Sequence, residues 1–172
     1  MSKVLAVIDM QNDFIDGALG TPEAESIVSN VIKTIEEFDG RVIYTMDTHG
    51  KNYMDTQEGK NLPVPHCIKG TPGWDIHKDI KAIMREEAIE KPGFGSVDFG
   101  ERLLAINNED PIESITFVGL CTDICVIVGV MIAKTFLPEV PLIVKSDCCA
   151  GVTPESHANA LKVMEMCQVK IL

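Results

Sequence analysis

At 172 residues the chain is long enough for one domain to remove roughly 70% of its unfolded surface from water. Its 45% hydrophobic content excludes a disordered segment, and its formal net charge of -11 excludes the basic face of a nucleic-acid binder and fits poorly with an anionic membrane surface. No basic start followed by an apolar run suggests a signal peptide, and the apolar stretch 126–137 is too short to span a bilayer and is broken by Lys134.

The elements follow in clear alternation. "VLAVI" at 4–8 is a short, fully apolar run, hence a buried strand. Residues 22–38 put Ile27, Val28, Val31, Ile32, Ile35 and Phe38 on one helical face. Gly40 closes that helix, and "RVIYTM" at 41–46 reads as the second strand. A polar segment runs from Asp47 to about Gly73, then a helix over about 75–88 and a short third strand around 88–91. The helical "FGERLLAI" precedes strand four, "SITFVGL", and a helix from about Asp123 leads to strand five, "PLIVKS". "PESHANALKVMEM" is a helix opened by Pro154, and "VKIL" is the closing strand. No repeat or linker interrupts this order, so residues 1–172 read as a single domain.

Apolar strands alternating with helices pair in parallel and carry helices on both faces. The expectation is a three-layer α/β/α, Rossmann-like fold around a six-stranded, mainly parallel sheet. Ligand sites in such sheets lie beyond the carboxyl ends of the strands. Asp9 follows strand one, Asp47 and His49 strand two, Lys91 strand three, Cys121 and Cys125 strand four, and Asp147 and Cys148 strand five. The residues most capable of chemistry therefore collect at one sheet edge.

Of the six cysteines, five lie in or beside apolar segments, which fits reduced thiols in the cytoplasm better than a disulfide framework. A buried cysteine is ordinarily inert. Cys125, however, stands in the first turn of a helix, where the dipole and free N–H groups favour a thiolate and offer donors to an oxyanion. Lys91 can supply a cation and Asp9 can take the proton, so a depressed thiol pKa is expected.

Asp47 and His49 are two apart on an extended segment and so point the same way, toward one metal; Glu58 and His66 follow. Carboxylate and imidazole ligands suit zinc, iron or manganese, and the alternative is a polar surface loop. Among the other polar residues, His77 and His157 read as exposed helix positions and Asp123 as a helix-start or local hydrogen-bonding residue. Asp147 fits a turn or the pocket rim, and Trp74 a surface-to-core anchor or an oligomer contact.

"VIDMQNDF", "EKPGFGS", "GLCTDICV" and "DCCAGVTPESHANAL" resemble, in this order, the motifs of the isochorismatase-like cysteine hydrolases, above all of the nicotinamidase/pyrazinamidase group. The resemblance covers practically the whole chain. It implies Asp9 as general base, Lys91 as stabilising cation and Cys125 as nucleophile. It also implies a cis Leu120–Cys121 peptide, with the N–H groups of Cys121 and Cys125 as oxyanion hole. It further implies Asp47, His49, Glu58 and His66 as ligands of a divalent metal, zinc first, that holds the pyridine nitrogen of a small amide substrate. Phe14 matches the family's ring-packing phenylalanine, whereas Leu62 stands where relatives carry a stacking aromatic. That departure keeps a second reading open, an amidase for another small amide or carbamoyl compound. A noncatalytic small-molecule-binding protein is the third. The sequence is compatible with a homo-oligomer.

Overall fold

A computed structural model describes residues 1–172. Its six strands are β1 (Ser2–Ile8), β2 (Arg41–Asp47), β3 (Ile89–Lys91), β4 (Ile112–Leu120), β5 (Leu142–Ala150) and β6 (Lys170–Ile171). They form one sheet in the order β3-β2-β1-β4-β5-β6, and every pairing is parallel. The expected sheet is thus wholly rather than mainly parallel.

β1 sits in the middle, and its alternation explains the three layers. Val4, Ala6 and Ile8 belong to a core shared with α5 (Val97–Glu109) and α6 (Ile127–Phe136), while Leu5 and Val7 belong to the opposite core with α2 (Pro22–Glu37). Both faces of the strand are buried, which is why its sequence is continuously apolar. Helix starts are set by side-chain caps: Thr21 accepts from Ala24 N, Ser96 from Phe99 N, and Thr153 with Ser156 makes a capping box ahead of α7 (Pro154–Met166). No helix is long and apolar enough to cross a membrane.

The helix expected over about 75–88 shrinks to α4 (Lys78–Lys81). Its first residues are drawn out instead: Ile76 forms an antiparallel bridge with Gln11, Asp75 O accepts from Asn12 N, and His77 N donates to Met10 O. Backbone groups committed to the end of β1 cannot also join a helix. The polar segment after β2 carries a 3-10 turn (Tyr53–Asp55) and α3 (Gln57–Asn61), and α1 (Asn12–Ile15) follows β1; none of these was expected. Asp147 and Cys148 lie within β5 rather than after it. They fall where the β4–β5 register shifts, and there Asp147 is exposed, its carbonyl accepting from Asn30 Nδ2.

Candidate active site

Asp9 follows β1 with φ 46, a left-handed conformation rare outside glycine that turns its carboxylate into the interior, where it is fully buried. Thr45 Oγ1 donates to Asp9 Oδ1 at 2.7 Å, and Lys91 Nζ lies 2.7 Å from Oδ2. That ammonium is not aligned for a hydrogen bond, so Oδ2 keeps an unused acceptor site. Lys91 Nζ also donates to Cys125 Sγ at 3.4 Å and to Gly93 O at 2.9 Å. Asp9, Lys91 and Cys125 thus meet at the strand ends as expected, all buried.

β4 delivers the cysteine through a tight exit. Gly119 has φ 118, and a Cβ there would stand 2.1 Å from Ile8 O, so the backbones of β1 and β4 can approach only with glycine. The Leu120–Cys121 peptide is cis. Cys125 then falls in a π-helical turn (Thr122–Val126) that runs into α6, rather than in a regular first helical turn. Two contacts tie that turn to the connection after β5: Thr122 Oγ1 shares a 2.8 Å hydrogen bond with His157 Nδ1, and the Asp123 carboxylate accepts from Val152 N at 3.1 and 3.2 Å. Asp123 is therefore a tether between loops. His157, expected at an exposed position, is half-buried against the turn, while His77 is half-exposed as the N-cap of α4.

The depressed pKa expected for Cys125 is not found. Burial and the nearby Asp9 carboxylate push the thiol well above its usual value, and Lys91 only partly opposes them. The negative charge resides on Asp9, itself held above the ordinary carboxylate range by burial against the pull of Lys91. Burial would lower Lys91, but Asp9, Cys125 and Asp47 outweigh it and keep the ammonium charged. The resting triad is therefore thiol, carboxylate and ammonium, with the base already beside the proton it would take. Cys121 is also pushed up, to about 12, chiefly by burial.

Beside the triad, Asp47, His49, Glu58 and His66 offer one ligand atom each, all within 4.8 Å of one another. His49 Nε2 lies 2.9 Å from Asp47 Oδ2 and 3.6 Å from Glu58 Oε1; His66 Nε2 lies 3.6 and 3.5 Å from the same two oxygens. Ligands about 2.0–2.1 Å from a tetrahedral ion stand about 3.3 Å apart, so the quartet has the spacing of a zinc site. His66 Nδ1–H donates to Val64 O, which leaves Nε2 as the lone-pair nitrogen facing the cluster. Asp47 Oδ1 is buried with no hydrogen-bond partner. The acceptor-rich set, with an orphaned oxygen and a fixed tautomer, fits a divalent metal. Burial would raise Asp47, but His49, His66 and Lys91 hold its carboxyl well below the usual range.

Gln11 locks the two halves together. Its side chain donates to Asp47 O and Trp74 O and accepts from Asp47 N, so the end of β2 is stitched to the end of β1. Trp74 is a surface-to-core anchor: Nε1 donates to Thr48 Oγ1, and its ring packs on the α2-side core. It does not line the chamber, and neither does Asp147.

That chamber, about 450 Å³, opens over both clusters. Phe14 and Leu62 line it as expected, with the Phe14 ring 5.5 Å from His66. Phe94, Ile124 and Val152 also line it and were missed. "EKPGFGS" signals a loop after the lysine but carries no sign of where its phenylalanine points. Thr45 and Gln11 were missed as well, although Gln11 stands inside the "VIDMQNDF" motif.

Comparison with known proteins gives a consistent picture. The isochorismatase domain matches residues 3–172. The chain is 26% identical over 185 aligned positions to the nicotinamidase/pyrazinamidase of Mycobacterium tuberculosis, covering 99% of this chain and 98% of that protein. It is 27% identical to the nicotinamidase of Escherichia coli, covering 95% and 90%. The pyrazinamidase of Pyrococcus horikoshii, solved in complex with zinc, superposes with a TM-score of 0.82 at 26% identity, covering 100% and 99%.

Proposed function

Because the chain belongs to the isochorismatase domain family, we propose that it is a cysteine-dependent amidohydrolase that converts nicotinamide to nicotinate and ammonia. The observation that carries this reading is Lys91 Nζ, 2.7 Å from Asp9 and 3.4 Å from Cys125 Sγ, in a chamber whose other wall is the metal-ligand quartet. The domain acts as one unit over 1–172, in the cytoplasm, where its six free cysteines stay reduced.

Asp9 takes the thiol proton as Cys125 Sγ attacks the amide carbon. The backbone N–H groups of Cys121 and Cys125 receive the oxyanion that forms. Asp9 returns the proton to the leaving nitrogen, ammonia departs, and an acyl thioester remains on Cys125. Asp9 then removes a proton from water, which attacks the thioester; nicotinate leaves and the thiol is restored. Lys91 stays charged throughout and stabilises first the carboxylate and then the departing thiolate. Asp47, His49, Glu58 and His66 would hold a divalent metal, zinc by its donor set and by the zinc-bound relative. Bound there, the metal supplies a Lewis-acid position for the pyridine nitrogen. Phe14 and Leu62 confine the ring.

The test is ammonia release from nicotinamide and from benzamide, with and without a chelator. Chelator-sensitive turnover of nicotinamide far above that of benzamide is expected. Equal turnover of the two amides, or no dependence on metal, would favour an amidase for a different small amide.

A further inference from the structure

Phe94 is the one large aromatic side chain at the mouth of the chamber, and the structure accounts for its position. The Lys91 ammonium donates to Gly93 O at 2.9 Å, so the backbone just before Phe94 is pinned by the lysine of the triad. Just after it, Gly95 lies against α6, where a Cβ would come within 2.8 Å of both Val128 and Ile132. Held on both sides, the loop sends the Phe94 ring over the chamber. Phe94 lines this chamber and also the small cleft that reaches Lys91 and Cys125. It remains 47% exposed, and its neighbours across the mouth are Leu62 at 39% and Val152 at 52%. Three large exposed apolar side chains around one opening form an apolar collar, whereas isolated exposed apolar residues are commonplace.

The size of the chamber agrees. Nicotinamide has nine non-hydrogen atoms, and even at the roughly 30 Å³ that a water molecule occupies in the liquid it would fill only about 270 Å³. The chamber holds about 450 Å³, and its charged groups are confined to the metal-ligand side. The room beyond the pyridine therefore lies toward the collar. Leu62 provides no aromatic face there, and Phe94 does.

We infer that Phe94 is a specificity-determining residue. Its ring covers the acyl ring of the substrate from the mouth and extends the accepted substrates to heteroaromatic carboxamides bearing a small apolar ring substituent. This rests on the amidohydrolase reading of the site. An apolar group on the ring gains burial against Leu62, Phe94 and Val152, whereas a charged group would lose its water for no partner.

The experiment compares kcat and KM for nicotinamide, a set of ring-alkylated nicotinamides and a ring-carboxylated one, in wild type, Phe94→Ala and Phe94→Leu. In the wild type, at least one alkylated amide should match or exceed nicotinamide in kcat/KM, and the carboxylated one should be poor. Phe94→Ala should raise KM for nicotinamide by about five- to tenfold with little change in kcat, and should abolish the advantage of the alkylated amide. Phe94→Leu should restore tolerance of the alkyl group but not the KM for nicotinamide, because it returns apolar surface without a π face. If nicotinamide is hydrolysed but no alkylated amide is accepted, or if Phe94→Ala changes all substrates equally, the inference is overturned and the amidohydrolase reading stands. Hydrolysis of no heteroaromatic amide at all would overturn both.

Discussion

Lys91→Met removes the ammonium and keeps the length of the side chain. At the observed 3.4 Å between Nζ and Cys125 Sγ, a full ammonium–thiolate attraction is worth about 5 kcal/mol at an effective dielectric constant of about 20. At about 1.4 kcal/mol per pKa unit this would raise the thiol pKa by more than three units, which is a ceiling. Asp9, having lost its partner 2.7 Å away, will bind a proton, and the loss of that negative charge returns part of the stabilisation to the thiolate. The expected result is therefore an alkylation rate of Cys125 at neutral pH slowed by at least about tenfold, with amide hydrolysis reduced by about three orders of magnitude. Iodoacetamide labelling followed by intact mass across a pH series gives the first number, and ammonia release gives the second. Removing one member of a buried ion pair also costs roughly 3–5 kcal/mol of stability, so both are measured at a temperature where circular dichroism shows the variant folded. An equal or faster alkylation rate in the folded variant would refute the view that this cation favours the thiolate. A wild-type inflection below the ordinary cysteine pKa would refute the protonated resting thiol.

Cys125→Ala should abolish hydrolysis and leave the fold intact, whereas Cys121→Ala should keep most activity because only its backbone N–H is used; comparable losses in both would point to a dithiol mechanism. His66→Ala should lower the metal content of the purified protein and raise KM for nicotinamide much more than it alters thiol alkylation, with pyrazinamide following nicotinamide and benzamide indifferent; stoichiometric metal in the variant would refute the ligand assignment. The pH dependence of stability should carry a signature of His157, whose pKa burial lowers in the folded state. The unfolded chain then binds the proton more readily, so the stability contributed is complete above the unfolded value of about 6.5 and is lost as pH falls through it. The Tm of the wild type should drop more steeply below about pH 6.5 than that of His157→Asn, and parallel curves would rule out this role.

Much of this site was legible in the sequence, for identifiable reasons. Strands buried on both faces announce themselves as apolar runs, and a parallel sheet then brings Asp9, Asp47, Lys91 and Cys125 to one edge without further information. The metal quartet was half legible, because Asp47 and His49 share a side at a spacing of two, while Glu58 and His66 needed the family resemblance. What escaped depends on long-range partners. Thr45 meets Asp9 only because β1 and β2 pair, Thr122 meets His157 across 35 positions, and Gln11 reaches Trp74 across 63. No local periodicity encodes such meetings. The truncated α4 failed for the same reason, since Ile76 forms a bridge with Gln11. The thiol pKa failed because the helix-terminus argument counted favourable dipoles and omitted the depth at which Cys125 lies.

The place of β1 at the centre of the sheet has a consequence during synthesis on the ribosome. β1 pairs with β2 on one side, but its other neighbour, β4, begins at Ile112. Until that point emerges, the nascent chain carries a hairpin-less parallel pair whose most apolar strand has a bare edge, the kind of surface that recruits other strands. The catalytic edge is also the last to be completed, since the turn carrying Cys125 is tied down by Val152 and His157. The growing polypeptide therefore keeps its nucleophile unset until nearly all of the described residues have been made, and its greatest exposure to misassembly comes before any activity exists.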